Sequence, residues 1–423
     1  MMTFDSFASA QTFLLIAGFV IAFIMGMAAN KTNFCTMGAV SDWVNMGDKG
    51  RFRSWLFAIA VALLGVVLLE MVGLVNADAA FPPYRSGSLI WLENILGGLL
   101  FGIGMTLASG CGNKCLVRIG GGNLKSILVF LIIALIAYFM ITPFPGTDMT
   151  LYSTLFYPWT NLFSVSLPHG QDLGSLVSGA EGALQTRLII GLVLGLALLI
   201  FALMSADFRG SRDHVLGGLI IGLCVLAAWY VTSTIQVDAD GDAISLTAYY
   251  SEWDMLAESE EGKPAMGSAL SPQSFTFINP MGQVFGYALN GLNSALLTFG
   301  LMAFFGVVLG SFAWSLLSRS FRIEWFASFN DFLTHLIGAV LMGFGGVLAM
   351  GCTIGQGITG VSTLALGSFL TLISIVLGSA LTMKVQFYKM VYEDEATLGK
   401  ALVAGLADLR LLPNSLRKLD KID

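Results

Sequence analysis

Fifteen residues from the first third of this chain recur near its end. Gly97 to Cys111 reads GGLLFGIGMTLASGC and Gly338 to Cys352 reads GAVLMGFGGVLAMGC, with eight of the fifteen positions identical at a single offset of 241 residues. The same offset places the tetrapeptide NFCT, which begins at Asn33, opposite SFTF. The repeat predicts two related halves that face one common site, and in membrane proteins built this way the site lies near the bilayer midplane.

Composition indicates the class of protein. The chain of 423 residues is 56% hydrophobic and 11% charged, whereas a soluble globular chain carries roughly 25% charged residues. Nine apolar stretches are candidates for crossing about 30 Å of hydrocarbon. They are Phe13–Ala29, Trp55–Val75, Ile95–Ala108, Ser126–Thr142, Leu188–Met204, Val215–Val231, Leu292–Leu317, Phe332–Met350 and Val361–Met383. The sequence therefore predicts an all-α integral membrane protein with about nine transmembrane helices. No signal peptide is expected, because no Lys or Arg precedes the first apolar run.

Lys and Arg divide the loops into two groups. They are frequent after the first, third, fifth, seventh and ninth spans, whereas Ile141–Thr186 has none and Thr232–Gly286 has only Lys263. Since short basic loops favour the cytoplasm, we expect the N-terminus outside and the C-terminus in the cytoplasm. Spans one to four then form one repeat and spans six to nine the other. The single span between them inverts the second repeat relative to the first.

The predicted organisation has four parts. Residues 1–142 are the first inverted repeat, residues 143–214 an external loop and linker helix, residues 215–383 the second inverted repeat, and residues 384–423 a cytoplasmic tail. An external insertion near 236–273 interrupts the second repeat. Leucines recur at helical spacing in the tail, which predicts an interfacial or solvated helix there.

The cysteines fall into two groups. Cys224 lies in the middle of a span among Leu and Val and is interpreted as a packing residue, because a buried free cysteine behaves as a small hydrophobe. Cys35, Cys111, Cys115 and Cys352 lie at glycine-rich or polar breaks that follow apolar segments. Such breaks free backbone polar groups, so within a membrane they must be buried in protein or line a polar cavity. A helix that restarts there offers N–H groups and partial positive charge to an anion.

A thiol is a soft, polarizable group and a weak donor, which suits a sulfur-containing anion, a soft metal or thiol–disulfide exchange. The glycines alone, at Gly102, Gly104, Gly343 and Gly345, are equally typical of close helix packing. None of the three histidines lies in the cysteine motifs, which argues against a metal site. A redox enzyme would use Cys111 and Cys115.

Charged residues near the breaks have two interpretations. Lys114 and Arg118 follow the first Gly-Cys and can attract an anion to the cytoplasmic mouth, although the positive-inside rule alone accounts for them. Glu70 lies inside the second span, where an acid is a functional candidate by default. Because it is close to the outer end, its carboxylate can equally reach the membrane surface.

At these residues the chain resembles the YeeE/YedE family of sulfur-transport membrane proteins. The motifs are NFCT at 33–36, SGCG at 109–112 with RIGGGNLKS at 118–126, and GCTIGQG at 351–357. The resemblance implies an hourglass fold of spanning and half-spanning helices in two pseudo-symmetric halves. It also implies that Cys35, Cys111 and Cys352 line a narrow path and pass thiosulfate along. A small TusA-like sulfur carrier is a partner that the resemblance suggests.

The sequence thus predicts a transporter in the inner membrane of a bacterium that takes up a small sulfur-containing anion, most readily thiosulfate. The predicted substrate-binding residues are Cys35, Cys111, Cys352, Asn33, Gly110, Gly112, Gly351, Gln356, Lys114 and Arg118. Lipids are the expected surroundings, and neither a cofactor nor nucleic acid is expected. The alternatives are a membrane thiol–disulfide oxidoreductase, a sulfur or selenium relay component, and a soft-metal carrier.

Overall fold

The computed structural model describes residues 1–239, 241–253 and 270–420. The predicted insertion near 236–273 therefore lies largely outside the described residues, as do the last three residues of the tail. The helices are α1 Phe7–Lys31, α2 Thr36–Ser41, α3 Gly50–Met71, α4 Trp91–Leu107, α5 Gly112–Gly120, α6 Leu124–Ile141, α7 Leu151–Leu155, α8 Tyr157–Thr160, α9 Leu173–Leu203, α10 Ala206–Gly210, α11 Arg212–Thr234, α12 Leu246–Ser251, α13 Ile278–Leu289, α14 Phe299–Leu317, α15 Phe329–Leu348, α16 Leu366–Tyr392 and α17 Leu398–Asp408. A π-helical turn at Gly355–Gly360 precedes α16.

Nine helical segments in these described ranges are long and apolar enough to cross a membrane, which confirms the predicted all-α membrane fold. We call one side of the molecule the loop face, formed by residues 72–90, 142–172, 235–239, 241–253 and 270–298. The opposite side, formed by residues 32–49, 121–123, 204–211 and 318–328, is the basic face.

Two small sheets lie at the loop face. The strands are β1 Met2–Phe4, β2 Ser88–Ile90, β3 Ser164–Ser166, β4 Ile235–Ala239 and β5 Asp242–Ser245. Strand β4 pairs in parallel with β1 and antiparallel with β5, and β2 pairs antiparallel with β3. The sheets join loops that are distant in sequence and so fix the loop face around the helix ends.

Several helices begin or end at residues other than the predicted ones, and three of these differences have a local cause. Helix α9 begins at Leu173, where Asp172 caps it by accepting a hydrogen bond from the Ser175 N–H at 2.9 Å, rather than at Leu188, and it is kinked at Gly179, whose φ is 67°. Helix α14 begins at Phe299 rather than Leu292, since Thr298 is its N-cap and a short 3₁₀ turn precedes it. The last span begins at Leu366, after the π-helical turn, rather than at Val361.

The two repeated segments pack on each other as α4 and α15, and glycines set how closely they approach. A methyl group added at Gly97 would lie 2.6 Å from the Ala349 nitrogen, and one at Gly338 would lie 2.7 Å from the Ala108 nitrogen. An earlier part of each helix therefore meets the C-terminal end of the other, so the two are antiparallel. The offset of 241 residues converts the first contact into the second, as a local two-fold axis requires.

Other helix pairs are related between the two halves in the same way. Helix α1 packs on α14, and in the corresponding pair α11 packs on α3. Likewise α4 packs along α16, and in the corresponding pair α15 packs along α6. A methyl group at Gly102 would lie 2.2 Å from the Ile375 carbonyl oxygen in α16, and one at Gly343 would lie 3.0 Å from Ile136 in α6. These glycines are thus close-packing residues, as their interpretation as small-residue interfaces predicted. Inversion of the two complete repeats stays a prediction.

The tail helix is present as α17, which packs on the end of α16. Ala401 and Ala404 are buried in a cluster with Tyr388, whereas Leu398 and Leu402 are exposed. The helix is therefore docked on one side and open on the other.

Candidate functional site

Three helices that precede a cysteine end in the same way. Asn33, Ser109 and Met350 have left-handed backbones with φ of 50°, 58° and 54°. The next N–H in each case reaches back five residues, from Phe34 to Ala29, Gly110 to Met105 and Gly351 to Gly346, at 3.1, 2.8 and 2.8 Å. This is the Schellman arrangement, which reverses the chain and satisfies terminal carbonyls. Because each cysteine comes two residues after the left-handed position, one type of turn presents all three thiols.

Each of these cysteines also begins the next helical segment. Cys35 and Cys111 are the N-caps of α2 and α5. The sulfurs of Cys35 and Cys352 accept hydrogen bonds from the N–H groups of Gly38 and Gly355, both at 3.4 Å. A thiol that accepts a bond through sulfur keeps its S–H free to donate elsewhere.

The three thiols form a row with Cys111 in the middle. Both Cys35 and Cys352 are electrostatic neighbours of Cys111, and a methyl group at Gly112 would lie 3.9 Å from the Cys352 Cβ. Cys352 is 0% exposed, Cys111 2% and Cys35 8%, so the row is closed to water in this conformation. Within the part of the chain that the structure describes, no three His, Cys, Asp or Glu residues are grouped to hold a metal ion.

A cavity of about 460 Å³ opens from the loop face toward this row. Its walls are mostly apolar, and it reaches Met350 and Gly351, the two residues directly before Cys352. Glu93 also lines it, and its carboxylate accepts hydrogen bonds from the hydroxyls of Tyr152 and Thr160 at 2.8 and 2.6 Å. The cavity therefore ends at the second break.

Two cavities lie at the basic face. One of about 250 Å³ is polar and is lined by Asn33, Lys114, Arg118 and Arg322 among others. The Lys114 Nζ donates to the Asn33 Oδ1 at 2.5 Å, which joins the first and second cysteine motifs. The cavity therefore presents a cationic surface at the basic face.

The other basic-face cavity, of about 310 Å³, is lined by Met37, Thr106 and Met383. The offset of 241 residues relates Met37 and Thr106 to Ile278 and Val347, both of which line the loop-face cavity. The two cavities are thus counterparts on opposite faces. The basic-face counterpart is the smaller of the two.

The remaining predicted residues have local roles that the structure defines. A methyl group at Gly110 would lie 3.1 Å from the Lys114 Cγ, and one at Gly351 would lie 3.2 Å from the Thr276 Oγ1, so both glycines give room to a neighbour. The Gln356 Nε2 donates to the Ala349 carbonyl, and its Oε1 accepts from the Ser368 hydroxyl. Its amide ties the end of α15 to α16, and its predicted contact with an anion stays a prediction.

The other two cysteines do not follow the shared turn. Cys115 is 1% exposed on α5, and Cys224 is 6% exposed on α11, where it belongs to the main apolar core. All five cysteines are free, including the Cys111 and Cys115 pair that a redox enzyme would use.

An ion-pair network at the loop face was missed by the sequence analysis. The Glu70 carboxylate accepts hydrogen bonds from both Nη atoms of Arg85, at 2.6 and 2.9 Å. The charge of this intramembrane acid is therefore neutralised by an arginine. Arg187 binds Asp172 through Nε and Nη2, at 2.7 and 2.9 Å, and both arginines also contact Asp78. The partners in each main pair are 15 residues apart, which is not a helical spacing, so no local pattern in the sequence marks the pairs.

Titration properties agree with this network. Burial by itself raises the pKa of Asp172, but the hydrogen bonds from Arg187 and Ser175 and the Arg187 charge outweigh it and lower that pKa to about 2. The buried Tyr84 donates to the Gly355 carbonyl oxygen at 2.9 Å, and burial raises its pKa, so the phenol keeps its proton. Tyr84 thereby connects the loop face to the segment after Cys352.

Comparisons with known proteins agree with this geometry. The sequence model of the sulphur transport family matches residues 31–381. The thiosulfate transporter TsuA of Escherichia coli (strain K12) is 24% identical over 376 residues, which cover 86% of this chain and 92% of that protein. The thiosulfate transporter TsuA of Spirochaeta thermophila is 26% identical over 378 residues, which cover 86% of this chain and 97% of that protein. The family consists of transporters rather than enzymes, and this multi-pass membrane chain belongs to it.

Proposed function

We propose that this protein takes up thiosulfate across the inner membrane of a bacterium. Thiosulfate has a soft terminal sulfur and hard oxygens, and the row of thiols provides a soft surface in an otherwise apolar interior. Two relatives that align over most of their length carry the name thiosulfate transporter. Their sequences are 24% and 26% identical to this chain, and the thiol row of this chain is the further support for the same substrate.

The proposed route runs from the loop face to the basic face. With the N-terminus outside, the cavity of about 460 Å³ is the entrance. The anion then passes Cys352, Cys111 and Cys35 in that order, and Lys114 and Arg118 receive it in the polar basic-face cavity. Gly110, Gly112 and Gly351 leave room for its passage beside the thiols.

The observation that carries this proposal is the shared turn. Three Schellman helix ends place three thiols in one buried row between cavities on opposite faces. A packing role alone does not call for a cysteine at the same position after each turn. Serial, similar binding positions let an anion bind weakly and move on, which conduction requires.

The proposal includes the wider organisation. Residues 1–142 and 215–383 are the two inverted repeats, 143–214 the external loop and linker helix, and 384–423 a cytoplasmic tail. Lipids surround the spans. A TusA-like carrier that accepts sulfur at the basic face is consistent with the cationic cavity there.

Growth and uptake together test the function. The gene is expressed in a bacterial strain that lacks its own sulfate and thiosulfate importers, and growth is scored on thiosulfate or sulfate as sole sulfur source. We expect growth and radiolabelled uptake with thiosulfate and little with sulfate, which has no soft terminal atom. Equal growth on both anions, or none on thiosulfate despite membrane insertion, would reject the proposal.

A further inference from the structure

The two halves of the site differ at one position that should be equivalent. The offset of 241 residues places Thr276 opposite Cys35. Cys35 follows a helix end and caps α2, whereas Thr276 precedes α13, whose N-cap is Phe277 and which has no side-chain cap. The hydroxyl of Thr276 is thus not used for capping.

The surroundings place this hydroxyl at the second break. A methyl group at Gly351 would lie 3.2 Å from the Thr276 Oγ1, and one at Gly355 only 2.4 Å from it. Gly351 lines the loop-face cavity, and the N–H of Phe277 is directed toward the Cys352 sulfur. Thr276 therefore lies beside Cys352, as Cys35 lies beside Cys111.

A second hydroxyl, that of Thr353, adjoins the Cys111 thiol. Thr353 follows Cys352 in the chain and is 0% exposed. Among the described residues, the Thr276 Oγ1 is buried with no hydrogen-bond partner, and the buried Thr353 Oγ1 has no partner other than the neighbouring Cys111 thiol. Most buried hydroxyls in proteins are paired, so an unpaired hydroxyl and one that meets only a thiol, both beside one row of thiols, require an explanation.

We propose that Thr276 and Thr353 form the oxygen-binding half of the site and donate hydrogen bonds to the oxygens of a small sulfur oxyanion whose terminal sulfur faces the thiols. The inference rests on the proposed function and adds an orientation to it. Thiols contact the soft end of the anion, and hydroxyls, which are stronger donors, contact the hard end. Donors held ready in a water-poor site need an acceptor, and the substrate supplies it.

The test removes the donor without changing the shape of the side chain. Thr276→Val, Thr276→Ser and Thr353→Val are compared with wild type in thiosulfate uptake and in thiosulfate binding to the purified protein. We expect Thr276→Val and Thr353→Val each to raise the half-saturating concentration about 10-fold, since the lost bond is to a charged group. Thr276→Ser, which keeps the donor, should stay within about two-fold of wild type.

Thr382→Val is the matched control, because the Thr382 hydroxyl donates to the Gly378 carbonyl oxygen of its own helix at 2.7 Å. It should leave both measurements unchanged. Unchanged affinity in Thr276→Val and Thr353→Val overturns the inference, as does an equal loss in Thr276→Val and Thr276→Ser, which would indicate packing. If Thr276→Val does not fold, Thr353→Val decides. A wild-type protein that neither binds nor takes up thiosulfate overturns the proposed function as well.

Discussion

In the first half of the molecule, the helix that follows the break begins near Lys114, whose amine lines an open polar cavity at the basic face. The equivalent residue in the second half is Gly355, and the Tyr84 phenol, which comes from a loop, binds its carbonyl oxygen. The two breaks share the same Schellman turn, with the same left-handed residue and the same hydrogen bond back across five residues. The space beside Lys114 is an accessible cationic cavity, whereas Tyr84 occupies the space beside the Gly355 carbonyl group.

The difference shows how two breaks with the same backbone turn can present different chemical surroundings at the two faces. The repeated turn fixes where the thiols lie, and residues that differ between the two halves decide what each face offers an anion. The segment after each break is also held by different contacts, which we call its brace. Asn123 forms a β-bridge with the exposed Glu324 at the basic face, whereas Asp172, buried and paired with Arg187, forms one with Ala365 at the loop face.

The largest loss of stability is expected from breaking the Asp172–Arg187 ion pair, which belongs to the brace at the loop face. Asp172→Asn leaves the buried Arg187 with one of its two carboxylate partners, and loss of one member of a buried pair costs about 3–5 kcal/mol. Thermal unfolding of the purified protein in detergent measures this loss. Glu324→Gln, at the exposed counterpart, should cost less than about 1 kcal/mol. Equal losses in the two variants would contradict the contrast between the braces.

The Asp172–Arg187 ion pair also predicts that the stability of the protein depends on pH. Because the folded-state pKa of Asp172 is lowered from 3.8 to about 2, its contribution to stability is present above pH 3.8 and is lost as the pH falls toward 2. Wild type should therefore show this component of acid destabilisation, and Asp172→Asn should lack it.

The next effect concerns the end of the thiol row. Cys35→Ala should lower thiosulfate uptake about 10-fold, which corresponds to about 1.4 kcal/mol, because the last soft contact is lost. Cys35→Ser tests the reason, since its hydroxyl can still accept a bond from the Gly38 N–H and cap α2. We expect Cys35→Ser to be as impaired as Cys35→Ala. Full uptake in Cys35→Ser would assign Cys35 to capping alone.

The smallest effect is expected at the basic cavity. Lys114→Gln removes one cation and should reduce uptake by a few-fold, or about 1 kcal/mol, as for a partly exposed charge. Added salt should narrow the difference from wild type. Lys125→Gln is the control, because the Lys125 amine pairs with Asp331 at 2.7 Å and does not line the cavity. An equal loss in both variants would indicate a general effect of charge at this face.

The sequence allowed the spans, the two breaks and their equivalence to be predicted, because apolar length and the Gly-Cys repeat are local patterns. It did not allow the start of α9 to be predicted, since Arg187 and Glu181 interrupt the apolar run and the Arg187 charge is paired with Asp172 only in the fold. Tyr84 was missed for a similar reason. Its partner Gly355 is 271 positions away, and no local pattern marks the pair.

The site was predictable in part. Cys35, Cys111 and Cys352 follow the same turn, and that turn leaves a motif in the sequence. Thr276 had a signal, because the offset placed it opposite Cys35, but its unpaired hydroxyl is visible only in the structure. Gln356 was predicted from its position opposite Cys115, and only the structure shows that Ala349 and Ser368 occupy its amide.

The central claim is that the anion passes along Cys352, Cys111 and Cys35 and needs no other thiol. Uptake by a protein with Cys115→Ser and Cys224→Ala, which keeps only the three thiols of the row, tests it most directly. We expect this protein to keep most wild-type uptake, and addition of Cys352→Ala to lower it about 100-fold, or about 2.7 kcal/mol. Uptake that is lost in the three-thiol protein, or that survives Cys352→Ala, would contradict the claim.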